Sequence, residues 1–211
     1  MSDANADGHP LERFWKAGGV LHVAADGQML FPASGRCPPA RVLLPGSFSP
    51  MHSGHWELAR VAAMLLGHPV AFELSAVNVD KPNLTPEQIR RRLLQFNWQA
   101  SVWLTKAARF VEKAECFPGA TFVVGADTAL RIVLPRYYDN DETRMLAVLA
   151  RLSELECRFL VACRVDAQGK YWRVGDLPIP PAFRDRFEEI PPEQFRKDLS
   201  STKLRALSGT A

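Results

Sequence analysis

Two histidines lie close together in the segment LPGSFSPMHSGHWELAR, which covers residues 44–60. His52 and His55 flank a serine and Gly54, and Gly46 comes six residues before the first histidine. A predicted helix begins here, and a helix start offers unpaired N–H groups and a positive dipole end, which bind phosphate. Glycine lets the backbone approach a ligand, and imidazoles can donate hydrogen bonds to phosphate oxygens as negative charge grows. The segment therefore predicts a phosphate site; a metal site is less favoured, because no third ligand has a convincing spacing.

A second candidate anion site lies near the end of the chain, in the segment DLSSTKLRAL. Ser200, Ser201 and Thr202 precede a predicted helix and offer hydroxyl groups and helix-start amides, while Lys203 and Arg205 offer positive charge. On its own, such a run is more typical of a helix N-cap than of a ligand site. Together with the two histidines it predicts a second contact to phosphate, and one polyphosphate could reach both.

Composition and charge exclude several classes of partner. The chain has 211 residues, 47% of them hydrophobic, and a formal net charge of +3, which is ordinary for one globular domain. No run of basic residues is long enough for a nucleic-acid tail, and residues 90–92, all arginine, fit the solvated face of a helix. No apolar run reaches the length of a bilayer span. We therefore expect neither nucleic acid nor a membrane as a partner.

The cysteines and the first residues favour a cytoplasmic protein. The four cysteines show no paired CxxC spacing, so we interpret them as reduced thiols; they are Cys37, Cys116, Cys157 and Cys163. Residues 1–10, MSDANADGHP, are polar and unlike a signal peptide, and we expect them to form a disordered lead.

Short apolar runs alternate with helical patterns along most of the chain. Strands are predicted at residues 41–44, 70–77, 102–105, 121–125 and 158–165, and helices at 53–66, from 85, at 107–117, from 127 and at 143–155. This alternation predicts an α/β fold with a mostly parallel sheet and helices on both faces. Such sheets bind ligands outside the carboxyl ends of their strands. The two histidines follow the strand at 41–44, which places them at that edge.

The N-terminal residues are predicted to stand apart from this pattern. Asp26-Gly27 separates two short apolar runs, which predicts a β-hairpin within residues 20–32, and residues 166–174 suggest another hairpin near the other end. We divide the chain into an N-terminal extension, residues 1–40, and one α/β domain, residues 41–211.

Four segments resemble motifs of the nucleotidylyltransferase superfamily. GSFSPMHSGH (46–55) resembles its GxFxPxHxGH signature, and LSSTKLR (199–205) resembles its ISSTxxR motif. FVVGADTALR (122–131) is similar to the GAD segment of nicotinamide and nicotinate mononucleotide adenylyltransferases, and residues 75–93 are similar to their acceptor-side strand, loop and helix. The resemblance covers residues 41–207 and is strongest to the cytidylyltransferase-like branch, which occurs beside deamidase domains in some larger proteins.

The resemblance implies a Rossmann-like fold and the transfer of a nucleotidyl group, in the first instance adenylyl, from a nucleoside triphosphate to a phosphorylated acceptor, with release of pyrophosphate. It implies that Mg²⁺ arrives with the triphosphate. The roles it assigns are catalysis for His52 and His55; triphosphate binding for Gly46, Ser47, Phe48, Gly54, Ser200, Ser201, Thr202 and Arg205; and contact with acceptor or nucleotide for Lys81, Gly125 and Asp127.

The resemblance leaves the acceptor open. Nicotinamide or nicotinate mononucleotide is the first expectation, but Leu134 stands where members of that group carry an aromatic residue, and Tyr137 and Tyr138 follow it. The alternatives are cytidylyl transfer from CTP, a phosphopantetheine-type adenylyltransferase, and a non-catalytic nucleotide-binding sensor or subunit. A class I aminoacyl-tRNA synthetase is disfavoured, because the chain lacks a KMSKS-like loop.

Overall fold

The fold is seen in a computed structural model that describes residues 9–35, 39–77, 79, 82–163 and 171–195. Eight strands in these residues form one sheet: β1 (Val20–Val23), β2 (Met29–Leu30), β3 (Val42–Pro45), β4 (Ala71–Ser75), β5 (Val102–Thr105), β6 (Thr121–Gly125), β7 (Arg158–Ala162) and β8 (Phe187–Glu189). The α-helices in the same residues are α1 (Pro10–Ala17), α2 (Ser53–Leu66), α3 (Pro86–Leu93), α4 (Phe110–Cys116), α5 (Ala126–Ile132) and α6 (Glu142–Glu154).

The strand order is β2-β1-β5-β4-β3-β6-β7-β8. The six strands from β3 to β8 run parallel to their neighbours in this order, whereas β1 is antiparallel to β5 and to β2. The parallel part therefore has the doubly wound 3-2-1-4-5-6 order of Rossmann-like folds, and its order reverses between β3 and β6. The predicted α/β fold with a mostly parallel sheet is confirmed.

Helices cover both faces of the sheet because the parallel strands are apolar on both sides. In β3, Val42 and Leu44 belong to one buried cluster and Leu43 belongs to the other. The first cluster includes buried residues of α1, α2 and α3, and the second includes those of α4, α5 and α6. The core is thus two apolar layers with the sheet between them.

Sequence signals fix the ends of the two helices nearest the histidines. α2 ends at Leu66 and is capped by Gly67, whose φ of 65° is a left-handed conformation that suits glycine. α3 starts as predicted: the Thr85 side chain accepts from the Gln88 N–H, the Gln88 side chain accepts from the Thr85 N–H, and Pro86 takes the first helical position.

The predicted hairpin within residues 20–32 is confirmed as β1 and β2, and β1 extends the main sheet. The predicted disordered lead is wrong for its last two residues, because His9 caps α1 and Pro10 begins it, and residues 1–8 lie outside the described residues. α1 forms because Leu11 and Phe14, three residues apart, both reach the core. The hairpin suggested at 166–174 falls mostly outside the described residues, and β8 was not predicted. No helix in the described ranges combines the length and hydropathy that crossing a bilayer requires.

Candidate active site

The histidine turn, defined here as residues 46–55, joins the end of β3 to the first turn of α2. β3 pairs with β6 at the point where strand order reverses, and Gly125 ends β6 and caps α5. Gly46 and Gly125 therefore lie at the carboxyl ends of neighbouring strands, the edge at which the sequence placed the two histidines. Ligands of doubly wound sheets bind at this edge.

The two histidine rings of the turn stack on each other. Their centroids are 3.7 Å apart and their planes differ by 27°. The backbone N–H of His52 donates to Nδ1 of His55 at 3.3 Å. Because a backbone N–H can only donate, Nδ1 of His55 is unprotonated, and the neutral ring carries its proton on Nε2.

The environment of His55 keeps its ring neutral at neutral pH. Burial, and to a smaller extent the neighbouring His52 ring, lowers the pKa of His55 from 6.5 to about 4. The buried ring of Phe48 meets the His55 ring edge-on, with centroids 5.2 Å apart. At pH 7 the Nε2–H of His55 is thus a fixed, uncharged hydrogen-bond donor.

The glycines of the turn are required by close contacts within the turn itself. A Cβ at Gly46 would lie 2.6 Å from two ring carbons of Phe48, and a Cβ at Gly54 would lie 3.0 Å from Nδ1 of His52. Phe48 was predicted to bind the triphosphate, but its ring is 1% exposed and packs against Phe72 and Phe96. Its side chain therefore supports the turn from the core, and only its backbone can face a ligand.

Two side chains near the end of α3 hold the histidine turn, and neither was predicted as a site residue. Arg92 donates to the carbonyl oxygen of Ser47, and Gln95, in the 3-10 turn Leu94–Phe96, bonds to the backbone of Phe48 and Met51. The interpretation of residues 90–92 as a solvated face is therefore wrong for Arg92. A polar residue that follows a helix gives no sequence signal for such a contact.

A cleft of about 290 Å³ opens beside the histidine turn. Gly46 and Ser47 form part of one wall, and Thr128 and Arg131 of α5 form part of another. Arg131 also lies over the exposed ring of Tyr137, 5.7 Å from its centroid, whereas Tyr138 turns inward and donates its hydroxyl to the carbonyl oxygen of Ile132. Of the two tyrosines that the sequence left open, Tyr137 is the one with an exposed ring.

A buried ion pair forms the floor of this cleft. Lys113 donates to both carboxylate oxygens of Glu73, at 2.8 and 2.7 Å, and to the carbonyl oxygen of Ala107. Thr105 donates to the same carboxylate at 2.6 Å. The backbone carbonyl of Glu73 accepts from the N–H of Gly46, which ties the pair to the histidine turn. The available signal was a glutamate inside the apolar run at 70–77, because a buried carboxylate needs partners.

The other predicted site residues have different outcomes. Asp127 is exposed in the first turn of α5, where a carboxylate suits the helix dipole. Lys81, Ser200, Ser201, Thr202 and Arg205 lie outside the described residues. Within the described part of the chain, no group of three or more His, Cys, Asp or Glu side chains is placed to hold a metal ion.

A family model of known proteins matches most of the chain. The family model described as Cytidylyltransferase-like matches residues 43–207, which include the histidine turn, the cleft and the C-terminal serine-threonine run. No curated protein matches the chain significantly.

Proposed function

Because the chain belongs to the cytidylyltransferase-like family, part of the nucleotidylyltransferase superfamily, we propose that it transfers an adenylyl group from ATP to a phosphorylated acceptor and releases pyrophosphate. Membership of this family supports nucleotidyl transfer in general as the activity of the protein. ATP as the donor and nicotinamide or nicotinate mononucleotide as the acceptor are the finer parts of the proposal, and they rest on the likeness of residues 122–131 to the GAD segment.

The observation that carries the proposal is the histidine turn at the strand-order reversal. Its two rings are stacked, and the His55 ring is neutral with its Nε2–H available to donate. The 14-residue helix α2 begins within the turn, has no acidic residue in its first turn, and adds backbone N–H groups there. Preorganised donors at a helix start stabilise phosphate charge that grows during a reaction.

The transfer proposed here is a single in-line displacement. An oxygen of the acceptor phosphate forms a bond to the α-phosphorus, and the bond from that phosphorus to the bridging oxygen breaks, so that pyrophosphate leaves with the electron pair. His55 donates from Nε2 to an α-phosphate oxygen, and His52 faces the bridging and β-phosphate region. The protein contributes positioning and charge stabilisation, without a covalent intermediate.

The remaining triphosphate contacts are proposals from the motif. Ser200, Ser201, Thr202 and Arg205 would hold the β- and γ-phosphates. Mg²⁺ would be bound mainly by triphosphate oxygens, in line with its preference for substrate phosphates over all-protein cages.

The cleft beside the turn is our proposed acceptor site. Arg131 offers a guanidinium on one wall, and in the described part of the chain no carboxylate oxygen lies within salt-bridge distance of it. A guanidinium is well suited to a phosphate, and the Tyr137 ring beside it could stack on a planar base. Lys81 and Asp127 are proposed to contact the same acceptor.

A screen of donors against acceptors tests the proposal. ATP, CTP, GTP and UTP, each with Mg²⁺, would be combined with nicotinamide mononucleotide, nicotinate mononucleotide and 4′-phosphopantetheine, and pyrophosphate release measured. We expect release with ATP and a mononucleotide, and a larger thermal shift with ATP than with the other triphosphates.

Cytidylyl transfer is the second candidate, because the matching family is described as cytidylyltransferase-like. Release with CTP but not with ATP would replace the adenylyl proposal by this one. A thermal shift with a triphosphate but no pyrophosphate release with any acceptor would favour a nucleotide-binding sensor.

A further inference from the structure

We propose that Gln95, assisted by Arg92, is a positioning residue that holds the histidine turn in its active shape. The catalytic consequence rests on the proposed function, but the positioning itself can be tested without any substrate. Both residues come from α3 and the 3-10 turn after it, and each lies more than forty positions along the chain from the residues of the histidine turn that it contacts.

The amide of Gln95 contacts the turn with both of its polar atoms. Nε2 donates to the carbonyl oxygen of Phe48 at 2.9 Å, and Oε1 accepts from the backbone N–H of Met51, also at 2.9 Å. Nε2 also contacts the carbonyl oxygen of Arg92 at 3.2 Å, while Nη1 of Arg92 donates to the carbonyl oxygen of Ser47 at 2.8 Å. Three backbone groups between residues 47 and 51 are therefore bonded to two side chains.

The turn needs such bonds because of its backbone. Phe48 has a φ of 45°, a left-handed conformation that costs a non-glycine residue roughly 1–2 kcal/mol. The Phe48 ring is held in the core, but the peptide groups that follow it lie between β3 and α2 and belong to neither element. An amide side chain can satisfy a carbonyl and an N–H at once, as a neighbouring strand would.

The bonds of Gln95 lead directly to the histidines. The N–H of Met51 donates to Gln95. The next residue is His52, and its N–H donates to Nδ1 of His55 and so fixes the tautomer of that ring. A shift of the backbone at Met51 would therefore move the His52 ring and loosen the bond to Nδ1 of His55. A displacement of about 1 Å in a catalytic group can cost on the order of a hundredfold in rate.

The substitution Gln95→Glu tests this role with almost no change in shape. An ionised carboxylate cannot donate, and it would face the carbonyl oxygens of Phe48 and Arg92. We expect turnover at saturating triphosphate to fall about ten- to a hundredfold at pH 8. Protonation restores a donor; the carbonyl oxygens raise the pKa of the introduced carboxyl, whereas the Arg92 guanidinium at the same turn lowers it. The ratio of variant to native turnover should therefore rise as the pH is lowered from 8 to 6.

Gln88→Glu is the matched control, because it makes the same change of charge on α3, just before the turn that carries Gln95, while its side-chain oxygen still accepts from the Thr85 N–H. We expect its turnover and pH profile to equal those of the native protein. Gln95→Met is a second test of the same role, because it removes both polar atoms of the side chain. Its turnover should fall by a similar factor, and the ratio of its turnover to the native turnover should not rise at low pH.

A substrate-free measurement separates positioning from transfer. The ring ¹⁵N shifts of His52 and His55 should change in both Gln95 variants and stay native in Gln88→Glu. Native shifts and native turnover in a folded Gln95→Met protein would overturn the proposal, as would native turnover of Gln95→Glu at pH 8. If the native protein transfers no nucleotide, changed histidine shifts would still support the positioning role, and only the proposed function would fail.

Discussion

His55 has two separable roles in this structure, and two substitutions can divide them. Its Nδ1 accepts from the His52 N–H, and its Nε2–H is the donor proposed for the α-phosphate. In His55→Asn, the amide oxygen can occupy the position of Nδ1, but nothing reaches the position of Nε2. In His55→Gln, the longer side chain can place an N–H near the position of Nε2, but it leaves the His52 N–H without that acceptor.

The expected magnitudes follow from these contacts. Loss of one preorganised donor to a transition-state oxyanion costs about a hundred- to a thousandfold in turnover, or roughly 3–4 kcal/mol. His55→Asn should lose that much while its triphosphate affinity changes little, because the bond strengthens only as charge develops. Loss of the bond to the His52 N–H costs about 1 kcal/mol of unfolding free energy. His55→Gln should therefore retain more turnover than His55→Asn but be less stable.

The assay is pyrophosphate release at saturating and limiting triphosphate, with urea unfolding of each variant. His68→Asn is the control, because His68 is exposed just after the opposite end of α2 and should tolerate the change. Native turnover in His55→Asn would refute the donor role. Severely weakened triphosphate binding with intact turnover at saturation would instead make the turn a ground-state contact.

Three further predictions concern the surroundings of the turn. The pKa of His55 is about 4 in the folded protein, against an ordinary value of 6.5 for a solvated histidine, so the unfolded chain binds more protons between pH 6.5 and pH 4. The unfolding free energy, relative to that of His55→Asn, should therefore fall by up to roughly 3 kcal/mol as the pH drops from 6.5 to 4 and stay constant above pH 6.5. Urea titrations that show no such difference would contradict the burial of the ring. Removing either partner of the buried pair, by Glu73→Gln or Lys113→Met, should lower unfolding free energy by about 3–5 kcal/mol, and the double variant should recover much of it; additive losses would show that the pair is not coupled. Gly46→Ala places a Cβ 2.6 Å from the Phe48 ring, so it should lower the unfolding free energy by about 1–3 kcal/mol and reduce turnover. Gly175→Ala serves as the control in the same denaturation and turnover assays, because a Cβ at Gly175 would meet no atom within 4 Å.

The parts of the fold that the sequence predicted are those with local causes. The capping box of Thr85 and Gln88 lies within four residues, and the strand and helix after Arg41 follow from an apolar run that meets a helical period. α1, which was not predicted, also has local signals: a proline at its first position and apolar residues three apart. β8 has three residues without a clear alternation, and it forms because β7 offers a parallel edge.

The parts that were missed depend on contacts between distant residues. Glu73 stood out as a carboxylate in an apolar strand, but nothing in the sequence shows that its partner is Lys113, forty positions away. Gln95 gave no signal at all, since a glutamine after an amphipathic helix is ordinary. The sequence could therefore predict that two histidines share one turn at the edge of the sheet, but not the residues that fix their geometry.

The strand-order reversal explains why these groups meet. α2 follows β3 and packs on one face of the sheet, and α5 follows β6 and packs on the other. The ends of β3 and β6 are neighbours, so the histidine turn and Arg131 approach the same edge from opposite layers and line one cleft. A reaction between two phosphates needs donors on both sides of the reacting pair. In the proposed reaction, the histidine turn and Arg131 would supply the two sides. Gln95, which bonds to the histidine turn, and the Glu73–Lys113 pair, whose Glu73 carbonyl accepts from the Gly46 N–H, would then set how closely the two sides are aligned.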